Sequence, residues 1–98
     1  MTLTEQTQTA LSRLRELLPV SEDDVVQRGI TEEVTARIAE LRRTAARLAR
    51  KHGTLERLER QVESEGVTPD DHTLYTDLLE WRAARRELAE LTAFLETA

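Results

Sequence analysis

The chain has 98 residues, 39% apolar and 34% charged, with one Trp, one Tyr, one Phe and no cysteine. Without cysteine there is no disulfide framework, no thiolate zinc site and no thiol catalysis. The formal net charge of −5 argues against general nucleic-acid binding, which shows a basic excess. No stretch has the apolar run of a membrane span, and the polar start MTLTEQTQ lacks the apolar core of a signal peptide, so a cytoplasmic protein is expected. Leu, Ala, Glu and Arg dominate, all strong helix formers. Together with narrow apolar stripes and highly charged faces they predict an all-α fold in one helical domain over residues 1–98. Its core is small, so a partner or a second copy would add stability.

The first helix is expected over residues 3–18. Thr2 and Glu5 have the spacing of a capping box, and Leu3, Ala10, Leu11, Leu14, Leu17 and Leu18 follow a helical period. Pro19 closes it. Ser21 then caps a short acidic helix over 22–28, EDDVVQR, which Gly29 ends.

Thr31 is the next N-cap, followed by Glu32 and Glu33 at the positive end of the helix dipole. The helix it starts is expected to run from 32 to 65, with Gly66 just past its end. Its apolar positions are Val34, Ile38, Leu41, Ala45, Leu48, Leu55, Leu58 and Val62, spaced alternately by four and three as on a coiled-coil seam. His52 occupies a seam position too and reads as a polar register-setting residue. Gly53 falls inside the run. The repeat Val34, Leu41, Leu48, Leu55, Val62 keeps phase across it, so one continuous helix with a kink is expected there.

Thr68-Pro69 is the clearest helix start: an N-cap threonine, proline at the first helical position, then Asp70 and Asp71. The last helix, 69–97, carries Leu74, Leu78, Trp81, Arg85, Leu88, Thr92 and Leu95 on the same rhythm. The short link EGVTP predicts a long antiparallel, coiled-coil-like hairpin, with the first helix and the short acidic one added to it. A single register sets Val62 against Leu74, Leu55 against Trp81, Leu48 against Leu88 and Leu41 against Leu95. It brings His52 to Arg85 and Ala45 to Thr92.

No catalytic or metal signature is present, and no cofactor is expected. His72 reads as an exposed residue of a first turn, the serines as caps, and the three glycines as isolated punctuation. What remains is contact chemistry. The basic block Arg42, Arg43, Arg47, Arg50 and Lys51 holds like charges at i,i+4, which repel one another. Arg82, Arg85 and Arg86 come to the height of Arg50 in the single register, and Glu87 and Glu90 near Arg47 and Arg43. Leu79, Ala83, Ala84, Leu91 and Phe94 lie beside the last helix's seam and widen its apolar face, as surfaces that meet a partner do. Trp81 reads as core, and Tyr75 equally as core or interface. Candidate partner-binding residues are therefore Arg42, Arg43, Arg47, Arg50, Lys51, Tyr75, Leu79, Arg82, Arg86 and Phe94.

Lys51-His52-Gly53, Leu55-Glu56, Leu58-Glu59, Glu65-Gly66 and Glu80-Trp81 together resemble the K-Y-G, E-E-F-like, E-x-G and E-W motifs of a group of small bacterial and archaeal helical proteins. Here His52 replaces the tyrosine and leucines replace the phenylalanines. Some members of that group resemble antitoxins encoded beside a small toxin. The resemblance implies a non-catalytic antitoxin-like or adaptor subunit that masks a protein partner through the hairpin. Two alternatives stand beside it: a subunit that self-assembles in a phage or cellular structure, and a small nucleic-acid-associated regulator using the arginines. A protein partner, a homo-oligomer (a dimer foremost) or both are expected, nucleic acid is less favoured, and no membrane is involved.

Overall fold

A computed structural model describes residues 4–18, 21–66 and 72–97. All regular structure among them is helical: α1 Glu5–Leu17, α2 Glu22–His52, α3 Leu55–Glu65 and α4 Thr73–Thr97. The chain forms two compact units, Met1–Val34 and Thr35–Ala98, and each is taken by itself. None of the described helices is long and apolar enough to cross a membrane.

In the first unit α1 is capped by Thr4, whose Oγ1 accepts from the Thr7 amide at 3.1 Å. The helix therefore starts at Glu5 rather than at 3, and Thr2 and Pro19 lie outside the described residues. Ser21 caps α2 as its sequence implies, with its Oγ accepting from the Asp24 amide at 3.1 Å. The expected stop at Gly29 and restart at Thr31 do not occur, because α2 runs through both. A mid-helix glycine costs about 1 kcal/mol relative to alanine. That is less than breaking the ladder between two good helical segments, and no proline or left-handed glycine forces the break.

The second unit contains the rest of α2, α3 and α4. Here the expected continuous helix is overturned at Gly53. Its φ is +87°, a left-handed conformation that a residue with a Cβ adopts only at a cost. Its amide donates to the Ala49 carbonyl at 2.8 Å, the bond of a glycine C-cap. Thr54 then starts a new helix, its Oγ1 accepting from the Arg57 amide at 3.1 Å. Gly66 ends α3 with the same kind of bond, to Val62. The start of α4 falls at Thr73, just after His72. The Thr68-Pro69 cap and Asp70 and Asp71 lie outside the described residues.

Leu48, Leu55, Leu58, Leu78 and Trp81 form the core, with Ala45, Ala49, Val62 and Leu74 packed against it. Leu48 and Leu58 are fully enclosed, each contributing roughly 1.5–3 kcal/mol by leaving water. The hairpin of α2 and α4 is present, but not in one register. Arg47 pairs with Glu80 where that register gives Ala89, and Lys51 with Asp77 where it gives Arg85. On α3 the offset is the other way: Glu56 pairs with Arg85 instead of Glu80, and Glu59 with Arg82 instead of Asp77. Leu48 accordingly clusters with Leu78 and Trp81, not with Leu88.

The break at Gly53 is what permits two registers. Counting 100° per residue, Asp77, Glu80 and Glu87 lie on one flank of α4, and Arg82 and Arg85 lie roughly 155° away. The acidic flank meets the basic end of α2, and the basic flank meets the acidic start of α3. The inner face of α4 shifts with this. Ala84 is buried and Leu91 half-buried, while Arg85 and Thr92, expected on the seam, are exposed.

These two glycines predict opposite outcomes. A Cβ on Gly53 would meet only ordinary contacts with Arg57, so Gly53→Ala carries the cost of the backbone alone, about 1–2 kcal/mol. Gly29→Ala meets nothing within 4 Å and gains about 0.5–1 kcal/mol of helix stability. Urea titrations followed by circular dichroism measure both.

Candidate docking face and the buried Asp77 junction

The α2–α4 contact is built around a buried acid. Asp77 is 7% exposed, and its Oδ2 takes two contacts from consecutive residues at the end of α2. Lys51 Nζ donates to it at 2.9 Å, and His52 Nε2 lies 2.7 Å away. Burial works to raise the Asp77 pKa, but the hydrogen bonds to His52 and Lys51 and their charges outweigh it, holding the carboxyl below its ordinary value. The His52 side chain is itself buried. Its seam position implied as much, but its expected neighbour Arg85 is replaced by Asp77. Farther along, the Arg37 guanidinium grips Glu87 with Nε and Nη2 at 2.7 and 2.8 Å. This pair raises the arginine pKa and lowers that of the glutamate. Glu87 therefore serves Arg37 rather than Arg47.

The candidate residues divide into three groups. Arg47 and Lys51 are not free cations, since they hold Glu80 and Asp77 across the hairpin. Arg42, Arg43 and Arg50 are exposed and make no ion pair among the described residues. Arg43 and Arg50 line an open groove on α2 with Glu40, Thr44, Ala46 and Arg47. The expected belt joining these arginines to those of α4 does not form, because Arg82 and Arg85 turn to Glu59 and Glu56 at 3.5 Å.

The third group lies on the outer side of α4. Tyr75, Leu79 and Phe94 are 40%, 46% and 45% exposed. Tyr75, Leu79, Arg82, Arg86, Ala89 and Ala93 are all exposed and follow one another at spacings of four and three. That is the spacing of a seam that a second helix reads. It lies opposite the core side, where Asp77, Leu78, Trp81 and Ala84 are buried. Phe94 stands beside the Ala93 end, and Arg86 makes no ion pair among the described residues. Trp81, at 7% exposure, is core.

Asp77 was the residue missed in the sequence. Its signal is an aspartate inside a helix, where aspartate is a poor former, immediately before a core leucine. The chain matches no protein-family model, no curated protein and no solved structure.

Asp77→Asn keeps the shape but removes the charge that Lys51 and His52 meet, and should cost about 1–3 kcal/mol at neutral pH. The sign with pH follows from the lowered pKa. The contribution is complete above the ordinary aspartate value, about 3.9, and is lost as pH falls through the lower folded value. Urea unfolding at a series of pH values should show the two proteins differing at about pH 5 and converging below about 3.9.

Proposed function

We propose that the protein is a non-catalytic protein–protein interaction module, an antitoxin-like or adaptor subunit, whose outer α4 face accepts a helix of another polypeptide. The observation that carries this is the exposed seam of Tyr75, Leu79, Arg82 and Arg86. It has the residue types that anchor interfaces at the spacing that a helix occupies. The hairpin supports the seam rigidly, since the opposite side of α4 is fixed by Leu78 and Trp81 in the core. Binding acts by occlusion: apolar area leaves water, and guanidinium groups provide orientation. Arg42, Arg43 and Arg50, which make no ion pair among the described residues, give the module a second, basic surface suited to an acidic protein partner.

A photo-cross-linking residue at position 79 tests the reading in cells. It should yield a discrete polypeptide adduct, and the same residue at the exposed Glu63 of α3 should not. Tyr75→Ala with Leu79→Asp should remove the partner, weakening binding by at least about thirtyfold, with the helical circular dichroism unchanged. No adduct at 79, or equal adducts at both positions, would overturn it.

A further inference from the structure

We infer that the polypeptide accepted by the outer face of α4 is a second copy of the same chain, with the two α4 helices antiparallel and related by a two-fold axis near residue 84. The inference rests on the reading of that face as a helix-docking seam, and names its occupant. A two-fold contact must be self-complementary, and this seam is. Turned about residue 84, Tyr75 of one copy falls opposite Ala93 of the other, Leu79 opposite Ala89, and Arg82 opposite Arg86. The two exposed large apolar side chains of the seam, Tyr75 and Leu79, thus each meet an exposed alanine, as knobs filling holes require, while Arg82 and Arg86 meet each other at the centre. The parallel arrangement lacks this match. It sets Tyr75 on Tyr75 and Leu79 on Leu79, and leaves alanine facing alanine where a gap forms. Phe94 borders the Tyr75–Ala93 layer and widens it.

The central layers hold four arginines, Arg82 facing Arg86 twice, so the contact needs acids beside them. Glu59 already holds Arg82 within its own chain at 3.5 Å. Glu90, exposed, lies one turn from Arg86 on its own helix. In the antiparallel register it also comes one turn from Arg82 of the second copy, within reach of that long side chain. Arginine layers between apolar ends disfavour shifted registers, in which a guanidinium would face leucine or tyrosine without an acid. Polar seam residues specify pairing in this way at some expense in affinity. The basic face of α2, with Arg43 and Arg50, is not used and stays open to other partners.

The chain's lack of cysteine makes the test direct. In the full chain carrying Leu79→Cys and Ala89→Cys, mild oxidation should give a disulfide-linked dimer in high yield, and neither single variant should. The two positions lie about 15 Å apart on one helix at 1.5 Å rise, too far for an internal bridge. Sedimentation equilibrium should show a reversible dimer of the parent chain, weakened at least about thirtyfold by Leu79→Asp. A parent chain that stays monomeric well above micromolar concentration would overturn the inference. So would a dimer that cross-links as readily through Leu79→Cys alone, or one that Leu79→Asp leaves intact. Cross-linking from position 79 only to a different polypeptide would overturn the second copy as occupant while sustaining the proposed function. Absence of any adduct would remove both.

Discussion

The Asp77 carboxylate is the constraint from which the rest of the helical arrangement follows. A charged oxygen cannot be left unpaired in an apolar interface without losing several kcal/mol. The helix opposite must therefore bring donors to it. Lys51 and His52 do so from the last turn of α2, and this sets how far α2 extends along α4. If α2 continued straight on, Leu55 and Leu58 would pass beyond Trp81. Instead both are in its cluster, because the chain stops at Gly53 and α3 begins again farther back along α4. The buried acid and the left-handed glycine are two parts of one solution.

Charge then decides which side of α4 each helix takes. Asp77, Glu80 and Glu87 face the basic part of α2; Arg82 and Arg85 face Glu56 and Glu59 of α3. Most of these pairs are exposed and individually weak, so their contribution to stability is small. Their value lies in excluding the exchanged arrangement, which would set acid against acid and arginine against arginine. With two flanks and the inner face taken, only the outer arc of α4 remains open. What distinguishes this arc from an ordinary solvated face is the seam spacing of its tyrosine and leucine.

Helix type, the caps at Ser21 and Gly66, the hairpin and the placing of Trp81 in the core were all legible in the sequence, because each rests on local chemistry or a strong period. The two glycines mislead in opposite ways: at Gly53 the apolar repeat hides a stop that the left-handed backbone makes, and at Gly29 the glycine suggests a stop that α2 does not make. At Gly53 a following threonine able to cap, and a preceding turn ending in Arg50, Lys51 and His52, signalled a stop. The seven-residue repeat survived because Leu48 and Leu55 meet the same core from two different helices. Gly29 lacked a comparable signal, since Val25, Val26 and Ile30 continue a helix through it. The arginines were legible as a cluster but not as partners. Which acid each one meets depends on register, and a single register assigned Arg47, Lys51 and His52 wrongly at once.

The same segregation explains why α4 can carry two seams without ambiguity. A helix apolar on both sides has no preferred inner face, and Tyr75 with Leu79 competes with Leu74, Leu78 and Trp81 for the core. Asp77 removes that symmetry. Turned outward it would lose Lys51 and His52, and the arginines turned inward in its place would bury Arg82 and Arg86 against Leu48 and Leu58 with no acid beside them. The core side is thus marked by one satisfied acid and the outer side by arginines that stay in solvent, Arg82 with Glu59 beside it. The outer arc is too charged to enter the core through Arg82 and Arg86, while Tyr75 and Leu79 keep it partly apolar.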